Sequence, residues 1–457
     1  MDRQPNSLLT GAARWKRALA VLAVVTGSCL SAQAQTHGAS QPPTMNQHAA
    51  AAPHASNVLT LSLDDAVAKS LDTQPTIAAA RATLNATHAA REVAYSRFSD
   101  FAGAQIKYRR KQADLGINIA EAAVLQVRLE TVNAVTRSYV AVLYAKEQHE
   151  LATRAVDRIR VTRDAAKVLV DNGSKEVTKA DLDRLDTFYK LGQARLGEAR
   201  VGTTRALAAL REAIGLDDKV DVQIPDKAQG AKEVKLSDLY DAFTDFEKKH
   251  GSKLSCHLAI ATAQDRRPEL IQASLLSQIH CLEIDAQRAD CCAIYSKTFA
   301  ATADIHSRIL PANLINGEYR PGPVGPEMPV YLAGMADARA QRACFFYERS
   351  LAVAQKANNL VTLEVEEACA RLKEQVNQIE LLQEASTRAK KLADDALVLY
   401  RNDQMKTEQL LTIQLLEAQA SSSLNEAYFK FGQAIGLLQR ATAGELWNCF
   451  EKADEKK

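Results

Sequence analysis

Residues 135–174 read VTRSYVAVLYAKEQHELATRAVDRIRVTRDAAKVLVDNGS, and this stretch decides the fold. Residues that step by threes and fours lie on one face of a helix, as in a coiled-coil seam. Neither proline nor glycine occurs between Ala120 and Val170. At 1.5 Å per residue, about 50 helical residues make a rod of about 75 Å. The predicted seam consists of Val135, Ser138, Val142, Ala145, His149, Ala152, Val156, Ile159, Arg163, Ala166 and Val170.

A second helix is predicted to return along the first, after the turn Asp171-Asn172-Gly173-Ser174. Thr178 is placed to cap its start, and Gly215 is placed as a C-terminal glycine. Gly192, Gly197 and Gly202 recur inside this helix, and we expect them to allow close helix packing. Its predicted seam runs through Leu182, Leu185, Tyr189, Gly192, Leu196, Ala199, Thr203, Ala206 and Leu210.

The same plan recurs later in the chain. A long helix is predicted to end at Asn402-Asp403, and a returning helix is expected over about 407–439. The step from Gly173 to Asp403 and the step from Gly215 to Gly444 agree to within one position. Because two landmarks agree on one offset, the sequence predicts a duplicated helical hairpin. The second seam is formed by Val361, Val365, Ala368, Leu372, Val376, Ile379, Leu382, Ser386, Ala389, Ala393, Ala396 and Tyr400.

The two copies differ in the segment before the long helix. Pro75 lies closer to Gly173 than Pro268 lies to Asp403, so the second copy has about 37 extra residues. These include a loop rich in Pro and Gly at 316–326. Candidate strands flank that loop at Phe299–Ile305 and Pro329–Ala333, and the first copy offers only Ala104–Tyr108 and Leu115–Ile119.

The N-terminus is typical of an exported protein. Three cations at Arg14, Lys16 and Arg17 precede an apolar run, and an A-x-A pattern ends at Ala34, so we expect a signal peptide at 1–34 cleaved after Ala34. Cys29 raises the alternative of a lipidated N-terminus, but simple cleavage is preferred. The chain then divides into a flexible leader at 35–57, a first repeat at 58–223, a connector at 224–265, a second repeat at 266–446 and a polar tail at 447–457.

Composition excludes several classes of protein. The 457 residues include 57 Lys and Arg against 55 Asp and Glu, which leaves no basic excess for binding nucleic acid. The phosphate-loop, zinc-protease and serine-hydrolase motifs are absent, so we predict no catalytic, cofactor-binding or metal-binding residues. The mature chain keeps seven cysteines, an odd number with irregular spacing that does not describe a disulfide framework. We expect them to be mainly small buried or half-buried thiols.

An exported chain with this duplicated plan resembles the TolC-like outer membrane efflux protein family. The resemblance covers about Val58 to Leu446. It is carried by the opening Leu59–Ala66, the Pro75 segment, Arg267–Leu270, Tyr400–Asp403 and Tyr428–Gly444. Each motif is weak alone, but their order and spacing are specific.

The resemblance implies a mainly α fold in which duplicated long helical hairpins form a trimeric α-barrel. It also implies short β-strand segments that contribute to an outer-membrane β-barrel, here reduced in the first copy. The protein would be a passive exit duct for small molecules or ions, located in the outer membrane with a long periplasmic portion. Its partners would be outer membrane lipid, an inner-membrane transporter and a periplasmic adaptor (membrane fusion) protein. By position, the adaptor would contact the hairpin tips at Asn172, Gly173, Ser174, Asn402, Asp403 and Gln404.

The short first-copy segment leaves an alternative open. A periplasmic coiled-coil scaffold of the same architecture, without a functional membrane barrel, would have the same helical pattern. The two hypotheses differ in the extended segments, because membrane-spanning strands need about 9–11 residues each.

Overall fold

The computed structural model describes residues 57–97, 103–173, 177–225, 234–250, 252–289, 295–297, 331–402 and 404–452. Helices account for most of them. The helices are α1 (Leu63–Thr73), α2 (Pro75–Tyr95), α3 (Ile106–Asp171), α4 (Lys179–Ile214), α5 (Leu236–His250), α6 (Cys256–Arg266), α7 (Pro268–Ala289), α8 (Ala336–Arg401) and α9 (Thr407–Ala441). The strands are β1 (Asn57–Thr60), β2 (Val220–Gln223), β3 (Ser252–Leu254), β4 (Tyr295–Lys297), β5 (Tyr331–Ala333) and β6 (Phe450–Lys452), and a short 3-10 helix spans Leu446–Cys449.

The two long hairpins predicted from the sequence are confirmed. Helices α3 and α8 each contain 66 residues, and α4 and α9 return along them. Seam residues such as Val135, Val142, Val365 and Leu372 are buried, because the spacing of three and four keeps them on the face that meets the neighbouring helices. Thr178 caps α4 through a reciprocal capping box with Asp181.

The two copies contain four equivalent helices in the same order, α1 to α4 in the first and α6 to α9 in the second. Among the described residues, only the second copy has strands, β4 and β5, between its second and third helices. The interval from the start of α6 to the start of α8 is longer than the equivalent interval from the start of α1 to the start of α3. The second copy therefore has extra residues between these points. Helices α2 and α7 differ by only one residue in length, 21 against 22. The extra residues therefore lie between the end of α7 at Ala289 and the start of α8 at Ala336.

The strands expected at Ala104–Tyr108 and Leu115–Ile119 are wrong, because α3 begins at Ile106 and continues through both. The buried residues there have helical spacing, and two of them are polar groups with partners on α7. Arg109 pairs with Glu283, and Gln112 donates to Glu283 (2.9 Å) and to the Ile279 carbonyl (3.0 Å). These contacts favour helix because they need Arg109 and Gln112 on one face.

In the second copy, β5 (Tyr331–Ala333) falls within the strand expected at Pro329–Ala333. It pairs antiparallel with β4, so that Tyr295 lies opposite Ala333. The other expected strand, Phe299–Ile305, and the loop at 316–326 lie outside the described residues. The signal peptide at 1–34, with its cleavage site after Ala34, and the leader as far as residue 56 also lie outside them.

The stretch assigned to the connector is partly the start of the second copy. Strand β3 precedes α6 as β1 precedes α1, and β3 pairs antiparallel with β6 from the stretch expected to be a polar tail. Aromatic residues attach that tail: the rings of Trp447 and Phe450 lie 4.7 and 5.0 Å from the ring of Phe246 on α5. Residues 447–452 are therefore packed structure.

The long helices form one layer. In the half near the hairpin tips, α3 packs between α4 and α9, and α9 packs between α3 and α8. In the other half, α3 packs between α2 and α7, and α7 packs between α3 and α8. Among the described helices, no substantial contact joins α4 to α8. In the part of the chain that the structure describes, the layer therefore has an open edge on each side. None of the described helices combines the length and apolar character needed to cross a bilayer.

In each copy, the end of the returning helix packs against the junction between the first two helices of that copy. This is the junction of α1 and α2 for helix α4, and the junction of α6 and α7 for helix α9. Thr73 donates to the Ile214 carbonyl (2.7 Å), and Gln74 donates to the Ala213 carbonyl (3.0 Å), at the end of α4. Gly215 follows with φ +79°, where a Cβ would lie 2.8 Å from the Cα of Gln74. Free carbonyls at a helix C-terminus need such donors. The junction between α1 and α2 supplies them to α4.

At the junction of α6 and α7, a charged side chain donates to the end of the returning helix. Arg267, which is 1% exposed, donates to the Ala441 carbonyl (3.4 Å) at the end of α9. It also forms two hydrogen bonds to Glu269 (2.8 and 2.9 Å) and approaches Glu364 on α8 (3.1 Å). Arg440 binds the other oxygen of Glu364. We call these four residues the buried ion cluster, with two cations balancing two anions.

Candidate functional site

The first hairpin tip is a tight turn with its backbone exposed. The Asn172 N–H donates to the Val168 carbonyl (3.0 Å), and the Gly173 N–H donates to the Val170 carbonyl (3.1 Å). Gly173 has φ +75°, a left-handed conformation that suits glycine. No atom of the described residues would lie within 4 Å of a Cβ there. Ser174 lies outside the described residues.

The second tip is closed by backbone and hydroxyl contacts. The Asn402 N–H donates to the carbonyls of Val398 and Leu399 (3.2 Å each), and the Gln404 N–H donates to the Leu399 carbonyl (3.0 Å). The buried Tyr400 and Thr407 hydroxyls are 3.2 Å apart and join α8 to α9. Asp403 lies outside the described residues.

The two tips share one hydrophobic core, here called the tip core, so they form a single unit. Polar contacts between α3 and α9 continue it away from the tips: Gln414 donates to the Thr162 hydroxyl (2.8 Å), and both groups are buried. Arg158 on α3 reaches Asp394 on α8 at 2.9 Å and Glu417 on α9 at 3.7 Å. The buried members of the tip core are Ala166, Val177, Leu185, Ala396, Tyr400, Leu410 and Leu411.

The structure brings the described candidate tip residues to one end of the molecule. Asn172, Gly173, Asn402 and Gln404 are all exposed there. Their backbone groups satisfy the helix ends, and they include no acid, base or nucleophile. Among the described residues, no group of three or more His, Cys, Asp and Glu side chains is arranged to hold a metal ion.

The three glycines of α4 do not share one role. A Cβ on Gly192 would lie 3.1 Å from Val156 of α3, so close helix packing explains this residue. A Cβ on Gly197 or Gly202 would meet no atom within 4 Å. Contacts within the described part of the chain therefore do not explain these two, and close helix packing there stays a prediction.

No protein-family model matches the sequence, and no curated protein sequence matches it. Solved structures match most of it. The outer membrane channel CmeC of Campylobacter jejuni aligns with 86% of this chain and 87% of its own length, with a TM-score of 0.60 at 12% identity. VceC, an outer membrane protein of Vibrio cholerae, aligns with 84% of this chain and 96% of its own, with a TM-score of 0.60 at 13% identity.

The outer membrane channel MtrE of Neisseria gonorrhoeae aligns with 84% of this chain and 89% of its own length, with a TM-score of 0.60 at 14% identity. The chain has the TolC-like fold. The fold class expected from the sequence, mainly α with duplicated long hairpins, is confirmed.

Sequence reasoning missed two residues near the tips of this TolC-like fold. Val168 and Val398 lie four residues before the capping Asn172 and Asn402, and their exposed fractions are 58% and 57%. They occupy equivalent positions in the two copies. The repeat offset could have identified the pair, but its exposure depends on which faces the neighbouring helices cover.

Proposed function

We propose that the protein is an outer membrane efflux channel component that acts as a passive exit duct for small molecules or ions. It works with a periplasmic adaptor protein and an inner-membrane transporter. The observation that carries the proposal is the single helical layer with two open edges, in a chain with the TolC-like fold. A layer of this kind has no interior of its own, and closure around a symmetry axis creates one.

One open edge is an apolar stripe along α8. It consists of Phe345, Leu363, Leu381 and Leu399, which are evenly spaced, with five turns of the α-helix from each to the next. Their exposed fractions are 58%, 40%, 70% and 41%. Leu363 and Leu381 lie two residues from the buried Val361, Val365 and Ile379, and therefore on the opposite face of the helix.

The other open edge belongs to α4. Leu191 and Val201 are 57% and 49% exposed, and Gly197 leaves room for close approach of another helix. Two apolar edges on one layer suit a head-to-tail ring, in which α4 of each copy meets α8 of the next. Four helices from each of three copies give a wall of twelve. We therefore propose a homotrimer around a water-filled lumen.

The proposed adaptor contact is the exposed end of the hairpins. Asn172, Gly173, Asn402 and Gln404 present backbone and amide groups, and Ser174 and Asp403 complete the six positions indicated by the sequence. Val168 and Val398 add one apolar side chain to each tip. Apolar anchors beside polar groups are typical of protein interfaces.

A matched pair of variants tests closure. Leu381→Arg places a charge in the α8 stripe, whereas Thr387→Arg places it on the same helix, six residues away and outside the stripe. Both positions are exposed, so neither change should alter folding of the single copy. We expect Leu381→Arg to abolish the trimer and the ion conductance in planar bilayers, and Thr387→Arg to keep both. Equal behaviour of the two variants would refute the proposed edge.

A second candidate function is a periplasmic coiled-coil scaffold of the same architecture without a working pore. One observation favours it: residues 106–119, where first-copy strands were expected, are helical. Membrane fractionation and bilayer recording separate the two functions. A protein that remains with the outer membrane and conducts ions supports the duct. A trimer that stays soluble after lysis and conducts nothing supports the scaffold.

A further inference from the structure

The densest run of cations in the chain lies at the start of α3. Lys107, Arg109, Arg110 and Lys111 fall within five residues, and no other five-residue stretch of the sequence holds four cations. Residues 91–114 contain six cations and three anions, although the whole chain is nearly neutral. Because α3 ends at the first hairpin tip, this positive charge is concentrated at the opposite end of the helix.

One of these cations is buried, and it fixes which way the others face. Arg109 is 8% exposed, and it donates to Gln112 (2.8 Å) and to Glu283 of α7 (3.1 Å). Lys107 and Lys111 each lie two residues from Arg109, and therefore on the opposite face of the helix. Both lysines are exposed. The contacts of Arg109 thus hold the two lysines toward solvent.

Tyrosine rings lie beside the outward-facing cations. The guanidinium carbons of Arg91 and Arg110 are 4.6 and 5.3 Å from the ring centre of Tyr95, which is 43% exposed. The ammonium of Lys107 is 4.7 Å from the ring centre of Tyr108. These cation–π contacts join the end of α2 to the start of α3. We call this surface the basic end. Its members are Arg91, Tyr95, Lys107, Tyr108, Arg110 and Lys111.

Helix stability does not explain the two lysines. Cations near the N-terminus of a helix oppose its dipole, and like charges four residues apart repel each other. The first turn of α3 contains no acid that would offset them. Asp114 is close, but it is already bound by Arg91 (2.5 Å) and by the Tyr95 hydroxyl (2.6 Å). A local arrangement that costs stability is typical of a functional surface, and this one suits a negatively charged partner.

We propose that the basic end binds the phosphate headgroups of anionic phospholipids at a membrane surface. Lys and Arg are attracted to such headgroups. Tyrosine suits the same boundary, because its ring is apolar and its hydroxyl is polar. The exposed Val93 (54%) adds an apolar side chain beside Tyr95. Cations together with tyrosines favour a lipid surface over a soluble polyanion.

The length of the first-copy connection agrees with contact from the surface. Only ten residues separate the end of α2 at Tyr95 from the start of α3 at Ile106. Two membrane-spanning strands need about 9–11 residues each, which is more than this connection holds. The first copy would therefore meet the bilayer through the basic end. The source of the lipid rests on the outer membrane location proposed above.

The test measures flotation of the purified mature chain with two kinds of vesicle, one of phosphatidylcholine alone and one with a third of phosphatidylglycerol. The wild type should bind the anionic vesicles more tightly, and high salt should remove the difference. The double variant Lys107→Gln/Lys111→Gln should bind the anionic vesicles about 30-fold more weakly than the wild type does. Its binding to neutral vesicles should not change.

The matched control is Lys390→Gln/Lys391→Gln, which removes two exposed lysines from α8 near the second tip. This variant should bind both kinds of vesicle as the wild type does. Thermal melting should show that Lys107→Gln/Lys111→Gln is at least as stable as the wild type, because repulsion near the start of α3 is relieved. Weaker lipid binding would then not reflect poor folding.

Three results would overturn the inference: equal losses in the two double variants, wild-type binding that does not depend on lipid charge, or tighter binding to the soluble polyanion heparin than to anionic vesicles. The outcome is separable from the proposed duct. A protein that enters neutral and anionic vesicles alike and conducts ions would keep the duct and overturn this inference. A protein that binds anionic vesicles through Lys107 and Lys111 but conducts nothing would do the reverse.

Discussion

Replacing Gly215 by alanine should destabilise the base of the first hairpin far more than an ordinary turn substitution would. Gly215 ends α4 with φ +79°, and an added Cβ would lie 2.8 Å from the Cα of Gln74 and 3.1 Å from Cδ of Pro75. These neighbours belong to the rigid junction between α1 and α2, so the methyl group cannot be accommodated by turning a side chain. The junction itself must move away from the end of α4.

The cost has two parts. A left-handed conformation costs a residue other than glycine about 1–2 kcal/mol. Overpacking against a rigid neighbour adds about 1–3 kcal/mol. The free energy of unfolding should therefore fall by about 2–5 kcal/mol in Gly215→Ala. Displacement of the junction also weakens the hydrogen bonds from Thr73 and Gln74 to the last carbonyls of α4.

Gly173→Ala is the matched control. Gly173 has φ +75° but open space around it, so alanine there adds only the conformational cost. Urea unfolding followed by circular dichroism at 222 nm should place Gly215→Ala about 1–3 kcal/mol below Gly173→Ala. Equal losses in the two variants would refute the reasoning, because they would show that contact with the junction contributes nothing.

Three further predictions concern buried polar groups. Glu364→Gln leaves two buried arginines with only one carboxylate, Glu269, which binds Arg267, so Arg440 loses its charged partner. The free energy of unfolding should therefore fall by about 3–5 kcal/mol in urea titration, and an unchanged midpoint would contradict the burial of this charge. Burial alone would raise the pKa of Glu269, but Arg267 beside it holds the pKa below its ordinary value of 4.5. This stabilisation is present above pH 4.5 and is lost as the pH falls through the lower folded pKa, so unfolding at pH 6 and at pH 3 should differ more in the wild type than in Glu269→Gln. Tyr400→Phe removes the hydroxyl contact with Thr407 and should cost about 1 kcal/mol, with faster amide hydrogen exchange at the second tip and none of that change at the first.

The hairpins were predictable because their signals are local. The spacing of Val135, Val142 and Val156 depends only on helix geometry. Gly215 follows its helix directly in the sequence. Duplication then supplied an independent check, since two offsets agreed within one residue.

The start of α3 was not predictable in the same way. Its first residues are mostly polar, so the sequence alone suggests that Arg109 and Gln112 face solvent. Their partner is Glu283, which lies 174 residues after Arg109 and 171 residues after Gln112. The packed tail was missed for a similar reason, because β6 is stabilised by β3 and Phe246, roughly 200 residues earlier.

The candidate site was predictable in part. Turn residues located both tips, since helix ends carry local signatures. The exposure of Val168 and Val398 was not predictable, because it depends on the faces that neighbouring helices cover. The apolar stripe on α8 could have been found by its regular spacing of five helical turns, but only the arrangement of helices shows that it is an edge.

The most direct test of the central claim is single-particle imaging of the purified mature protein. We predict a hollow ring of three copies, in which the α8 stripe carrying Leu381 lies against α4 of the next copy. A single copy, or an assembly in which Leu363 and Leu381 face solvent, would contradict the account.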